Sequence, residues 1–114
     1  MKFVCIGGPN AEKEVLTSEY KTAKRLGEVR IGEHHFFYRY FIKIRYASID
    51  EIERAYLREE SGESGEFLLL ESYLMLRMRD KSLHKLRMER ELYARAVLLY
   101  FEENYPHIAI GFDE

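Results

Sequence analysis

The chain has 114 residues, 46% apolar and 33% charged, with a formal charge of −2. That length predicts one domain around one core, and the apolar share excludes a disordered chain. The slight acidity argues against a general nucleic-acid binder, so no nucleic-acid partner is expected.

Lys2 to Ile6 reads as a short strand, and Gly7-Gly8-Pro9-Asn10 as a turn. From Ala11 to Leu26, the positions Val15, Leu16, Tyr20, Ala23 and Leu26 fall on one face of a helix. Asn10 suits its N-cap and Gly27 its end. The single cysteine, Cys5, lies in the strand run and reads as a buried thiol. No internal disulfide can form, which fits a reducing cytoplasm. The opening MKFVCIGGPNAEKE lacks the apolar run of a secretory signal, and no stretch approaches the roughly 20 apolar residues of a membrane span.

Val29 and Ile31 alternate with charge, and Gly32-Glu33 supplies a turn. From Phe36 to Tyr46, the residues Tyr38, Tyr40, Ile42, Ile44 and Tyr46 share one parity. Phe37, Arg39, Phe41, Lys43 and Arg45 share the other, which predicts a strand with one wet, largely basic face.

Residues 44–60, IRYASIDEIERAYLREE, admit two readings. Ser48 and Glu51 have the spacing of a capping box, and Glu, Arg, Ala and Leu prefer a helix. Alternatively Ser48 to Ile52 is one turn, and Glu53 to Glu60 pairs with a later strand. Chain order favours the second reading, because a long helix here would leave the sheet in two unconnected pieces.

SGESGE then becomes the hairpin loop. In Phe67 to Asp80, Leu68, Leu70, Leu74, Leu76 and Met78 point inward, and Glu71, Tyr73, Arg77 and Arg79 outward. Ser72 and Met75 break the alternation, at a site suited to a bulge. Asp80-Lys81-Ser82 predicts a hairpin turn, and Leu83 to Met88 a partner strand with His84, Leu86 and Met88 inward. Glu91 to Asn104 is the strongest helix, with an apolar arc wide enough for burial on more than one side. Tyr105-Pro106 stops it before a strand-like tail at Ile108 to Phe112.

Local motifs offer little chemistry. His34 and His35 are adjacent on a strand and point to opposite faces, so they do not share an ion, and no metal site is expected. His84 reads as a hydrogen-bonded or rim histidine. VCIGGPN lacks the Lys-Ser/Thr of a phosphate loop and reads as a turn. No cofactor and no catalytic set are expected. The basic residues Arg39, Lys43, Arg45, Arg54, Arg58, Arg77, Arg79, Lys85 and Arg87, interleaved with Tyr56 and Tyr73, form a candidate stripe, with Lys43, Arg45, Arg77, Arg79, Lys85 and Arg87 its candidate contacts for an anion or a partner. The alternative is a solvated face neutralised by Glu51, Glu53, Glu59, Glu71 and Glu89.

IRYASIDEIERAYLRE resembles the strand–turn–strand segment of bacterial pleckstrin-homology-like domains, commonly I-P-Y-x-x-I. Tyr46, Ile49 and Ile52 match, and Ala47 stands near the usual proline. LMLRMRDKSLHKLRM resembles the later hairpin of that family, and LYARAVLLYFEENYPHI its closing helix. The resemblance covers roughly residues 28–110. It implies an α+β fold: a bent antiparallel sheet or split barrel capped by the C-terminal helix. Residues 28–114 would form that domain, with residues 1–27 an added strand and helix. Lipid-binding members of the superfamily carry a basic motif between their first two strands; GEHHFF here departs from it.

The expected function is therefore a non-catalytic binding or adaptor module. Tyr56, Tyr73, Phe37 and Phe41 beside Arg suit a protein interface. The partner would be another protein or a second copy, with Phe3 to Ile6 and Ile108 to Phe112 offering sheet edges. The alternative is an anionic ligand, or peripheral contact with an anionic membrane, without a membrane span; a small enzyme ranks third, and a deep pocket holding a carboxylate or histidine of strongly shifted pKa would speak for it.

Overall fold

Alternation, turn residues and one wide helical arc give this chain two stacked sheets rather than one. The computed structural model describes residues 1–64 and 67–112. The first sheet runs β1 (Lys2–Gly7), β5 (Lys43–Ser48), β4 (His35–Tyr40), β3 (Val29–Ile31), β2 (Lys24–Leu26). β1 pairs parallel to β5; the other neighbours are antiparallel. The second sheet runs β8 (Leu83–Met88), β7 (Phe67–Met78), β6 (Ile52–Ser64), β9 (Ala109–Ile110), with β9 parallel to β6. Helix α1 (Lys13–Thr22) covers the outer face of the first sheet, and α2 (Glu91–Asn104) closes the space between the sheets. The fold is α+β and split-barrel-like, with no closed barrel among the described residues.

The main core gathers Phe36, Tyr38 and Ala47 from the first sheet and Leu74, Leu76, Met78, Leu86 and Met88 from the second. Ala94, Val97 and Phe101 of α2 complete it. A second core lies on the other face of β4 and β5, where Phe37, Ile44 and Tyr46 meet Leu16 and Tyr20 of α1. Phe36, Phe37 and Tyr38 are consecutive and all buried because both faces of β4 are covered. Each such side chain contributes roughly 1.5–3 kcal/mol through burial.

Residues 49–51 form a single 3₁₀ turn, and the chain is extended from Ile52 to Ser64. The strand reading of Glu53 to Glu60 holds, against local helix propensity. The Ser48 side chain makes no capping bond, so the expected capping box is absent. The turn is held from outside instead. The Ile49 N–H donates to the His34 carbonyl and the Arg79 N–H to the Glu51 carbonyl. Buried Ile49 and Ile52 pin it to the main core.

Other expectations change. The first helix is shorter at both ends: Glu12, not Asn10, is its N-cap, and Lys24 to Leu26 pairs as a strand before Gly27. Phe36 to Tyr46 is not one strand but parts of two, folded back at Phe41-Ile42. The turn moves the apolar parity from one face to the other, so no single wet face exists. Phe37 is buried, not available to a partner. The ladder is unbroken at Ser72 to Met75; the irregularity lies between Ile52 and Arg54. Ser61 to Ser64 extend β6 rather than forming a loop, while residues 65 and 66 of that expected loop lie outside the described residues. Leu70 is exposed, not inward, and the side chain of Leu68 lies outside those described. Helix α2 buries one side, with Leu92 and Leu99 exposed. Cys5 is half-buried, its thiol against the Gly8 carbonyl at 3.4 Å.

Gly27 turns β2 into β3 with φ +65°, and a Cβ there would lie 2.8 Å from the Tyr93 ring of α2. Gly27→Ala should cost about 1–3 kcal/mol through backbone strain and the clash. Urea unfolding should show a lower midpoint at unchanged slope.

Candidate functional site

The predicted basic stripe divides between the two sheets. Arg77, Lys85 and Arg87 lie with Tyr56 and Tyr73 on the outer face of the second sheet, in the ladder rows Arg54–Arg77–Leu83, Tyr56–Met75–Lys85 and Arg58–Tyr73–Arg87. Lys43 and Arg45 are on β5 in the other sheet, and Arg79 follows the end of β7. The residues of the stripe are not one surface.

On the second sheet, charge is answered locally. Arg77 and Lys81 both bind Glu53, at 2.9 and 2.7 Å. Lys85 binds both Glu60 oxygens, at 2.7 and 2.8 Å, and lies over the Tyr73 ring. Hydrogen bonds from Lys81 and Lys85 hold the Glu53 and Glu60 carboxyls below their ordinary pKa. Tyr73 donates to Glu71, which raises the phenol's pKa. Arg87 is held by Tyr40 and Glu71, which raise its pKa. Tyr56 packs edge-on against Phe112. This face is the ion-paired alternative to an open anion site.

Lys43, Arg45 and Arg79 are exposed and make no ion pair among the described residues. Lys43 and Arg45 flank the β4–β5 turn. At that turn Phe41 and Ile42 are 79% and 80% exposed, and Phe41 has φ +59°. Two-residue hairpin turns need such left-handed backbone, and glycine or asparagine supplies it at least cost. A phenylalanine there is strained and leaves its ring in water. The ring meets Tyr40 edge-on at 4.3 Å and shares a cleft of 440 Å³ with Leu70, itself 72% exposed.

A second feature went unread in the sequence. Arg25, Arg30 and Arg39 come from three adjacent strands and meet Arg90, just before α2, around a cleft of 530 Å³. In the linear chain Arg25, Arg30 and Arg90 look like scattered surface charges, and Arg39 reads as part of the stripe. Only the short β2–β3 register, hidden inside the expected first helix, brings them together.

His84 lies at the rim of the main core. Its imidazole contacts the Ser82 hydroxyl at 3.2 Å. Burial lowers its pKa most; Asp80 opposes this, and Arg45 adds to it.

A family model described as a domain of unknown function, DUF6709, matches residues 3–114. The chain belongs to that family. No curated protein and no solved structure matches it. This member of DUF6709 has no helix, among its described residues, long and apolar enough to cross a membrane.

The depressed His84 pKa has a definite sign. Its folded-state pKa lies below the ordinary value of 6.5, so its neutral form contributes stability above pH 6.5. That contribution is lost as pH falls through the folded-state pKa. His84→Gln should flatten the fall in stability below pH 6.5, read by urea unfolding across pH; an unchanged slope would rule His84 out as its source.

Proposed function

We propose that this chain is a non-catalytic binding module that engages a protein partner through the β4–β5 turn. The observation that carries this is the exposed, left-handed Phe41 beside exposed Ile42. Neither side chain stabilises the core, and the backbone at Phe41 disfavours its own residue. Burying such a pair against a partner recovers both apolar surfaces, and aromatic anchors of this kind dominate binding energies. Tyr40, Leu70 and Arg39 extend the surface with the residue types that interfaces favour.

A non-catalytic role is supported by how the acid–imidazole pair Glu19–His35 is used. Its atoms lie 2.8 Å apart, and the same carboxylate accepts the backbone N–H groups of His34 and His35. It caps a turn. The antiparallel succession β2 to β5, then β6 to β8, then a closing helix supports the reading of the chain as a relative of the bacterial pleckstrin-homology-like domains. A second copy is one such partner, since β1 and β9 are sheet edges open to pairing. A lone free thiol fits a cytoplasmic setting.

Self-association is read by light scattering after size exclusion, and other partners by pull-down from a source lysate. Phe41→Ser/Ile42→Ser should leave the fold intact and weaken capture by about thirtyfold or more, the effect of losing a hot spot. A strict monomer that captures nothing, or a variant that captures equally, sinks the reading.

Lys43 and Arg45, which make no ion pair among the described residues and lie beside the same apolar tip, favour a second reading: contact with an anionic membrane surface. Vesicles containing phosphatidylserine should then float the protein at low salt and release it as salt rises. Lys43→Glu/Arg45→Glu should abolish flotation. No flotation at low salt removes the membrane reading, and flotation unaffected by that charge reversal removes Lys43 and Arg45 as its source; either outcome leaves the protein reading standing.

A further inference from the structure

The arginine cleft differs from the paired face of the second sheet in what holds its cations. Arg25 Nε donates to the Gly27 carbonyl at 3.4 Å, and Arg39 Nε to the Phe41 carbonyl at 3.3 Å. Arg30 donates to the Tyr20 carbonyl at 3.1 Å and lies over the Tyr20 ring at 4.1 Å. Each guanidinium is oriented by a neutral acceptor, so its charge is fixed in place without being neutralised. Among the described residues none of these three arginines, nor Arg90, has a carboxylate partner.

Their arrangement is costly without a ligand. Arg25 and Arg30 are directly opposite in the β2–β3 register, where like charges repel. Arg30 is opposite Phe37, and Arg39 follows two residues along β4 on the same face. The cleft's carboxylates are Glu28 and Glu89. Glu28 is engaged by the Glu89 backbone N–H at 2.6 Å. Four guanidinium groups against two carboxylates leave the cleft positive.

We infer that this cleft binds the phosphoryl group of a soluble small ligand. A phosphoryl group carries close to two charges and three acceptor oxygens, and planar guanidinium forks pair with such oxygens two at a time. Held forks on adjacent strands can engage one group together. Phe41 and Tyr93 also line the cleft and offer faces to an apolar or planar remainder. Its 530 Å³ falls within the roughly 300–1,000 Å³ of small-molecule sites. The site goes beyond the protein-partner reading and does not depend on it.

The test is calorimetric titration with inorganic pyrophosphate at low and raised salt. Saturable binding is expected, weakened by salt, and weakened roughly tenfold or more in Arg25→Gln/Arg39→Gln. Both side chains are exposed, so the fold should survive. Should that variant fail to fold, Arg39→Lys keeps the charge, loses the fork and should still weaken binding. Lys43→Gln/Arg45→Gln, in the other basic cluster, should bind as the parent does. No binding of pyrophosphate, or equal loss in both double variants, overturns the site. Phosphatidylcholine vesicles with and without phosphatidic acid decide the source. Binding to the acidic vesicles alone, with none to pyrophosphate and lost in Arg25→Gln/Arg39→Gln, would overturn the soluble ligand.

Discussion

The β6–β7 ladder is the constraint from which the rest of the molecule follows. It runs without interruption from Arg54–Arg77 to Ser64–Phe67, and every residue of 54–60 lies within it, while Glu53 sits at the irregularity that precedes it. These residues prefer a helix locally, by amounts of a few tenths of a kcal/mol each. Two things outweigh that. The ladder satisfies their backbone groups on one side and, at Arg54 and Ala55, on the other through β9. The same geometry turns Ala55, Leu74 and Leu76 toward Phe101 and Val97 in one apolar volume. A helix over 53–60 would leave β7 without that neighbour and expose the inner face of the sheet.

The corner at residues 48–52 shows how tertiary partners replace local ones. A capping box would satisfy the first turn from within. Here His34 and Arg79, distant in sequence, provide the bonds, and buried Ile49 and Ile52 fix the turn's position. The spacing Ser48–Glu51 marked where the chain bends but not what holds the bend. Both sheets meet at this corner, so it sets their stacking. It thereby fixes β8 against β4, where the Tyr38 hydroxyl donates to the Arg87 carbonyl at 2.6 Å. Burial of that hydroxyl raises its pKa strongly.

Much of this was legible in the chain. The β7–β8 hairpin, the α2 boundaries and the extended state of Glu53 to Glu60 follow from period, turn chemistry and chain order. Legibility fails where one pattern has two solutions. Alternation from Phe36 to Tyr46 is the same for one strand as for a hairpin, because a two-residue turn preserves the count while changing the face. No glycine or asparagine marks Phe41-Ile42, and the strain at Phe41 is what hid the turn. The helical spacing of Ala11 to Leu26 likewise continued through three residues that pair as β2. That misreading concealed the arginine cleft, since its members become neighbours only once β2 exists.

Placement decides what a charge does, and counting cannot reveal it. Parity puts the expected stripe on shared faces, and Glu53 and Glu71 are among the carboxylates expected to neutralise it, while Glu60 is not. On the second sheet Glu53, Glu60 and Glu71 stand among those cations, and exposed pairs of this kind hold few consequences for stability or for a ligand. The first sheet places arginines beside backbone carbonyls and an aromatic ring. A carbonyl orients a guanidinium by hydrogen bonding but brings no net charge, so the outward field persists. The overall charge of −2 thus contains one compensated face and one cleft left positive. Net charge argues against a general polyanion binder. It says nothing against a single anion held where three strands bring their arginines together.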